Sequence, residues 1–198
     1  MTASPSSINK ELKRNQYGLR PLSSVESKPP LQLISSQGQL QIHSAPYRGS
    51  FSAVMSEALR SAGLGSQVLI AQFLKGGVAQ GPSQSISLCG NLNWLRPDIH
   101  GCISQNHPSN SSKESLKNKE AIQEVWEICK EKLTFNSINK LVLDEIGIAI
   151  QLGFIPEDEL INALENRNDS IDVILTGPSI PTKVFSMADQ ITQLRISK

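Results

Sequence analysis

The chain has 198 residues, of which 38% are hydrophobic and 19% charged, and its formal net charge is +1. That is an ordinary globular composition with room for one sizeable core. A balance this close to neutral excludes a global field that would recruit nucleic acid or an anionic membrane surface, and no apolar run reaches the roughly 18 residues that a bilayer span needs.

Residues 1–36 are polar and rich in Ser, Pro and Gln. They read as a flexible N-terminal tail with one short helix near Ile8 to Arg14, ahead of a single domain at 37–198. The first residues lack the apolar segment of a secretory signal. Lys10, Lys13, Arg14 and Arg20 in a Ser-rich setting suit a transit peptide. Glu11 and the lack of a clean amphipathic pattern argue against one, which leaves a cytoplasmic protein as the expectation. Cys89, Cys102 and Cys129 are odd in number and form no C-x-x-C pair, so they read as reduced thiols. No set of four zinc ligands assembles at suitable spacing.

Gln37-Gly38-Gln39 is a turn signal, and Leu40 and Ile42 alternate as in a strand. A small-residue loop follows. Then Phe51, Val54, Met55, Ala58, Leu59 and Ala62 recur at the spacing of an amphipathic helix. Strand, tight loop and helix form the frame of a P-loop, whose backbone N–H groups and helix N-terminus hold phosphates. The pattern G-x-x-x-x-G-K-[ST] falls on Ser44 to Phe51. Gly49 fits the second glycine, but Ser50 stands at the lysine position and Phe51 at the hydroxyl position. The candidate nucleotide-binding residues are therefore Ser44, Ala45, Tyr47, Arg48, Gly49, Ser50, Phe51 and Ser52, in a loop whose key chemistry is eroded. Phe51 also reads as the first core anchor of the helix.

Gly63-Leu64-Gly65 caps that helix, and the near-continuous apolar run from Gln67 to Leu74 reads as a buried parallel strand. Lys75-Gly76-Gly77 follows at the edge where open α/β sheets bind ligands. Its glycines either admit a ligand or simply turn the chain. Ser85 to Leu88 and Leu92 to Leu95 read as short strands, and Arg96 to Ser112 as a loop holding His100 and His107. From Ser112 a long helix carries Ile122, Val125, Trp126, Cys129 and Leu133 on one face; at that spacing Trp126 is core.

Leu141-Val142-Leu143 leads into Asp144-Glu145, an apolar strand ending in carboxylates. Carboxylates at the carboxyl end of a strand beside a phosphate loop can hold Mg²⁺, so Asp144 and Glu145 are the candidate metal residues. Asp144 is read as unpaired at its strand end. Pro156-Glu157-Asp158-Glu159 opens a helix, Ile171 to Gly177 is another buried strand, Thr182 to Ala188 a short helix, and Asp189 to Ile196 a last strand. Strands alternating with helices predict a three-layer α/β/α, P-loop NTPase-like fold around a mostly parallel sheet.

Several phrases in this order resemble the P-loop ATP:corrinoid adenosyltransferases. They are Ala58 to Gly65, the Q-F-x-K-G turn at Gln72 to Gly76, the V-L-D-E strand ending at Glu145, Gly153-Phe154-Ile155-Pro156, Leu175-Thr176-Gly177, and Ala188-Asp189-Gln190-Ile191-Thr192-Gln193-Leu194-Arg195. The resemblance spans roughly 37 to 198. It implies ATP and Mg²⁺ at the phosphate loop, and a corrinoid whose reduced cobalt attacks the ribose 5′ carbon as triphosphate leaves. It also implies a cytoplasmic protein, often a homodimer, with Asn93 and Trp94 in the segment of corrinoid contacts. It implies neither nucleic acid nor membrane as a partner. Three departures stand against it: Ser50 replaces the lysine; Phe51 replaces the hydroxyl, unless Ser52 serves after a one-residue shift; and the sequence stops at Lys198, before a segment that helps enclose the family's site. The loss of lysine leaves two readings, an adenosyltransferase with an unusual loop or a catalytically inactive relative that binds a nucleotide, a corrinoid or a protein. Arg48, with its bidentate fork, either compensates at the phosphates or is a surface arginine.

Residues 1 to about 30 carry no apolar periodicity. A chain lacking them is expected to retain a cooperative thermal unfolding transition by circular dichroism, and loss of that transition would place folding contacts within them.

Overall fold

A computed structural model describes residues 37–49, 51–77, 81–104 and 112–195. The tail at 1–36 with its predicted helix, His107, the far end of the last predicted strand, and Ser50 at the lysine position lie outside the described residues. In chain order the elements are β1 (Leu40–Ser44), α1 (Ser52–Gly63), β2 (Val68–Gln72), β3 (Ile86–Leu88), β4 (Leu92–Leu95), α2 (Ser112–Thr134), β5 (Lys140–Asp144), α3 (Ile146–Gln151), α4 (Glu157–Glu165), β6 (Asp172–Thr176), α5 (Thr182–Phe185) and β7 (Gln190–Gln193).

The strands form one seven-stranded sheet in the order β3-β4-β2-β5-β6-β1-β7. All neighbouring pairs are parallel except β3 with β4 at one edge. The expected mostly parallel three-layer architecture is therefore present. The sequence reading assigns no strand order; in the sheet β6 lies between β5 and β1. Asp144, at the end of β5, is therefore separated from the end of β1 by the strand β6.

Each face of the sheet is covered by helices, and the period of two along each strand divides the core. On one face Val68, Ile70, Val142 and Ile174 pack with Phe51, Val54, Ala58 and Ala62 of α1 and the loop before it. On the other, Leu69, Ala71, Leu141, Leu143, Val173 and Leu175 pack with Ile122, Val125, Trp126, Cys129 and Leu133 of α2 and with Leu160 and Leu164 of α4. Strands buried on both sides explain why β2 and β5 read as unbroken apolar runs rather than alternating ones. Trp126 is core as its spacing predicts. Its ring meets Phe73 edge-on with centroids 6.3 Å apart, and its indole N–H donates to Glu159 Oε2 at 3.0 Å.

The short helix α3 has no counterpart in the sequence reading. Ile146, Gly147, Ile148 and Ala149 are all buried, so the segment has no polar face to signal a helix. The last strand is also shorter than its apolar spacing suggests. β7 is an edge strand with mostly exposed side chains, Ile191 among them.

Lys140 Nζ donates to Glu57 Oε1 at 2.8 Å and ties α1 to the start of β5. That bond, outweighing desolvation, holds the Glu57 carboxyl below its usual value of 4.5. A carboxyl depressed in the folded state adds stability above its unfolded pKa and loses it as pH falls through the folded value. Glu57→Gln is therefore expected to flatten the acid limb of stability below about pH 4.5, read by urea unfolding at a series of pH values. Superimposable limbs for the two proteins would remove this pair from the acid response.

Candidate functional site

All six parallel strands end at one edge of the sheet, and five of them, β1, β2, β5, β6 and β7, end in a polar residue, while β4 ends in Leu95. Gln72 of β2 aligns with Asp144 of β5, Asp144 with Thr176 of β6, and Thr176 with His43 of β1. The row lies one step beyond Ala71, Leu143, Leu175 and Ile42, which belong to the α2 and α4 face, so alternation turns its side chains toward the α1 side. Below it on that side stand Ile70, Val142 and Ile174. The apolar ladder thus gives way to a polar rung under the loop joining β1 to α1.

Burial makes that rung demanding. Asp144 is 3% exposed, Glu145 1%, Gln72 4% and Thr176 0%. A carboxylate withdrawn from water needs partners for its oxygens. Asp144 Oδ1 accepts from the Thr176 hydroxyl at 2.7 Å, and Oδ2 accepts from Gln72 Nε2 at 2.7 Å and Lys75 Nζ at 2.8 Å. Asp144 is therefore not the unpaired carboxylate that the sequence suggests. The other end of the Gln72 amide accepts from Trp94 Nε1 at 2.9 Å and Arg96 Nε at 3.0 Å. The Arg96 guanidinium lies 5.3 Å from the centroid of the Trp94 ring, within cation–π range.

Glu145 is satisfied by a different cation. Arg48 forms a fork on it, with Nε to Oε1 at 2.9 Å and Nη2 to Oε2 at 2.5 Å, while Nη1 donates to the Ile103 carbonyl at 2.6 Å. Planar bidentate geometry of this kind gives the stronger class of ion pair. The hydrogen bond to Glu145 is the largest influence on the guanidinium and raises its pKa. One arginine thus joins three segments: the β1–α1 loop, the start of α3 and the loop after β4. Glu145 reaches this position through a left-handed backbone, φ 59°, which a non-glycine residue adopts at a cost of about 1–3 kcal/mol. Gly177 makes room for that turn, since a Cβ there would lie 3.0 Å from the Glu145 Cα.

The remaining loop candidates have distinct placements. Ser44 ends β1, Ala45 is buried, Tyr47 is 46% exposed, and Gly49 has φ +82°. Phe51 is 5% exposed and belongs to the α1 core, so its side chain serves as a core anchor rather than at a metal. Ser52 is the first residue of α1, and the helix has no side-chain cap. Asn93 and Trp94 are not brought together. Asn93 aligns with Leu69 and Trp94 with Ile70, so alternation sends them to opposite faces. Of the glycines after β2, Gly76 packs against the chain itself: a Cβ would come within 2.0 Å of the Ile99 carbonyl oxygen, and its N–H donates to Gly101 O at 2.6 Å.

The donor set does not suit Mg²⁺. Both oxygens of each carboxylate are already engaged by protein donors, and the side chain at the hydroxyl position is in the core. Among the described residues no group of three or more His, Cys, Asp or Glu is placed to hold a metal. His43, at the end of the polar rung, has a buried Nε2 with no hydrogen-bond partner, and burial lowers its pKa from 6.5.

Sequence reading missed Lys75, Gln72, Arg96 and Thr176 as members of this network. Three of them sit inside the phrases Q-F-L-K-G and L-T-G, which mark strand ends. Partner identity, however, depends on strand order.

Residues 36–198 match the family model for ATP:corrinoid adenosyltransferase BtuR/CobO/CobP. A corrinoid adenosyltransferase of Escherichia coli K12 is 27% identical over 148 residues, covering 75% of this chain and 71% of that protein. One from Salmonella typhimurium is 30% identical over 152 residues with the same coverage, and one from Pseudomonas aeruginosa is 23% identical over 172 residues, 82% of this chain and 77% of that protein.

Asp144→Asn removes the charge that Lys75 meets and turns one acceptor into a donor facing Gln72, Lys75 or Thr176. The expected loss is about 1–3 kcal/mol, read by urea denaturation. An unchanged or higher stability would mean that this carboxylate is as strained in its site as an unpaired one.

Proposed function

The chain belongs to the ATP:corrinoid adenosyltransferase family, and from that premise we propose that it binds ATP and a corrinoid at the carboxyl edge of its sheet but transfers adenosyl slowly or not at all. The single observation that carries this reading is the engagement of Asp144 and Glu145 by Lys75 and Arg48. In the family's reaction a cobalt–carbon bond forms at the ribose 5′ carbon, the bond from that carbon to oxygen breaks, and triphosphate leaves with the electron pair. The corrinoid is the nucleophile, so the protein's contribution is positioning and stabilisation of the charge that develops on the leaving group. Ser50 supplies no ammonium for that charge, and Phe51 supplies no hydroxyl.

In this reading the loop from Ser44 to Ser52 faces the phosphates and the Trp94–Arg96 side of the edge faces the corrinoid. Asp144 and Glu145 organise the protein's own cations. The nucleotide and the corrinoid are partners in binding, and no step passes through a bound metal. A second reading, an active transferase with a rebuilt loop, draws support from the concentration of Arg48, Lys75 and Arg96 at this edge.

The experiment is an anaerobic assay of adenosylcorrinoid formation from ATP and a chemically reduced corrinoid, with the E. coli relative as control. The present reading expects turnover at least about 100-fold below the control, the usual consequence of losing one preorganised donor to developing charge. Calorimetric binding of ATP is measured in parallel. Turnover close to the control would replace this reading with the active one.

A further inference from the structure

We propose that Arg48 and Lys75 take the place of the divalent cation, so that this chain holds its nucleoside triphosphate in the metal-free form. The proposal rests on the nucleotide reading above and specifies the chemical form of the ligand.

Four observations carry it. First, Asp144 and Glu145 have no oxygen without a protein donor, and each is bonded to a cation of the chain. Second, both carboxylates are almost without solvent contact, at 3% and 1% exposure. A metal ion entering between them would have to displace Arg48 and Lys75 and strand those charges. Third, the cations themselves are not sealed. The Lys75 and Arg48 side chains keep 29% and 31% exposure, against 3% and 2% for the carboxylates they pair with. An ammonium has three donors and a guanidinium five. Lys75 gives one to Asp144, and Arg48 gives three to Glu145 and Ile103, so among the described residues nothing takes their remaining N–H groups, which can meet an anion. Fourth, Arg96 brings a third cation to the same edge, bonded to Gln72 rather than to a carboxylate. Among the described residues, Arg48, Lys75 and Arg96 stand at this edge with the two carboxylates Asp144 and Glu145.

The chemistry of the ligand follows from that excess. A divalent ion normally neutralises triphosphate oxygens and bridges them to acidic side chains. Here the bridge is built from protein: each carboxylate anchors a cation, and the cation presents its remaining donors outward. Mg²⁺ on the nucleotide would then compete with Arg48 and Lys75 for the same phosphate oxygens. The metal-free triphosphate, being more anionic, suits this edge better than its magnesium complex.

The test is calorimetric titration of the full chain with ATP and, separately, with inorganic triphosphate, in EDTA and in excess Mg²⁺. Binding in EDTA is expected to equal or exceed binding in Mg²⁺. Lys75→Gln is expected to lower the EDTA affinity at least tenfold. Arg48→Gln combined with Glu145→Gln, which removes both charges of the pair and avoids a stranded carboxylate, is expected to do the same. Near-ultraviolet circular dichroism confirms that each variant is folded. Wild-type binding that tightens tenfold or more with Mg²⁺ overturns the proposal and leaves the nucleotide reading standing. Unchanged EDTA affinity in the folded Arg48→Gln, Glu145→Gln variant also overturns it. Absence of binding by both probes in both media overturns the nucleotide reading and this proposal together.

Discussion

Two carboxylates at the end of a central parallel strand, almost out of contact with water, set the terms for this whole edge of the molecule. A buried acidic group is tolerated only when its oxygens are met by donors and its charge by a cation. Asp144 draws Lys75, Gln72 and Thr176 from the two neighbouring strands and the turn after β2. Glu145 draws Arg48 across from the β1–α1 loop. Through the amide of Gln72 the demand extends to Trp94 and Arg96 on a fourth strand and its following loop. The β1–α1 loop is therefore held by a side chain bonded to an acid at the start of α3.

Satisfaction of those acids and the departures at Ser50 and Phe51 belong to one pattern. At the two positions that the G-x-x-x-x-G-K-[ST] pattern gives to lysine and a hydroxyl, this chain has Ser50 and Phe51, whose ring is in the core. Arg48 and Lys75 bring positive charge to the two carboxylates at the end of β5. Family membership rests on the matched span and on the strand-end phrases, and it is independent of whether this arrangement still supports turnover.

Much of the architecture was legible because it is written locally. The apolar runs of β2, β5 and β6, the helical face of α2 and the acidic start of α4 each lie within one short window. The match of Asp144 and Glu145 to a strand end was local too. What escaped was non-local. Arg48 and Glu145 are 97 positions apart, and Lys75 and Asp144 are 69 apart, so their pairing follows from strand order and not from any spacing. The insertion of β6 between β1 and β5 is of the same kind. Helix α3 was missed for a different reason: with Ile146 to Ala149 all buried, it has no amphipathic signature. The family resemblance places Asn93 and Trp94 in one segment, and alternation along β4 sends their side chains to opposite faces of the sheet.

The polar rung also disciplines how the chain assembles. In a parallel sheet buried on both sides, β2, β5 and β6 are apolar on either face, and a shift by one residue would exchange one greasy surface for another at little cost. Asp144, Gln72 and Thr176 break that degeneracy. Sliding β5 by one position against β6 would carry Asp144 away from Thr176 and turn it toward the face of Leu143 and Leu175, among apolar side chains and without a cation. These buried polar groups therefore act as an alignment mark, penalising a misregistered sheet.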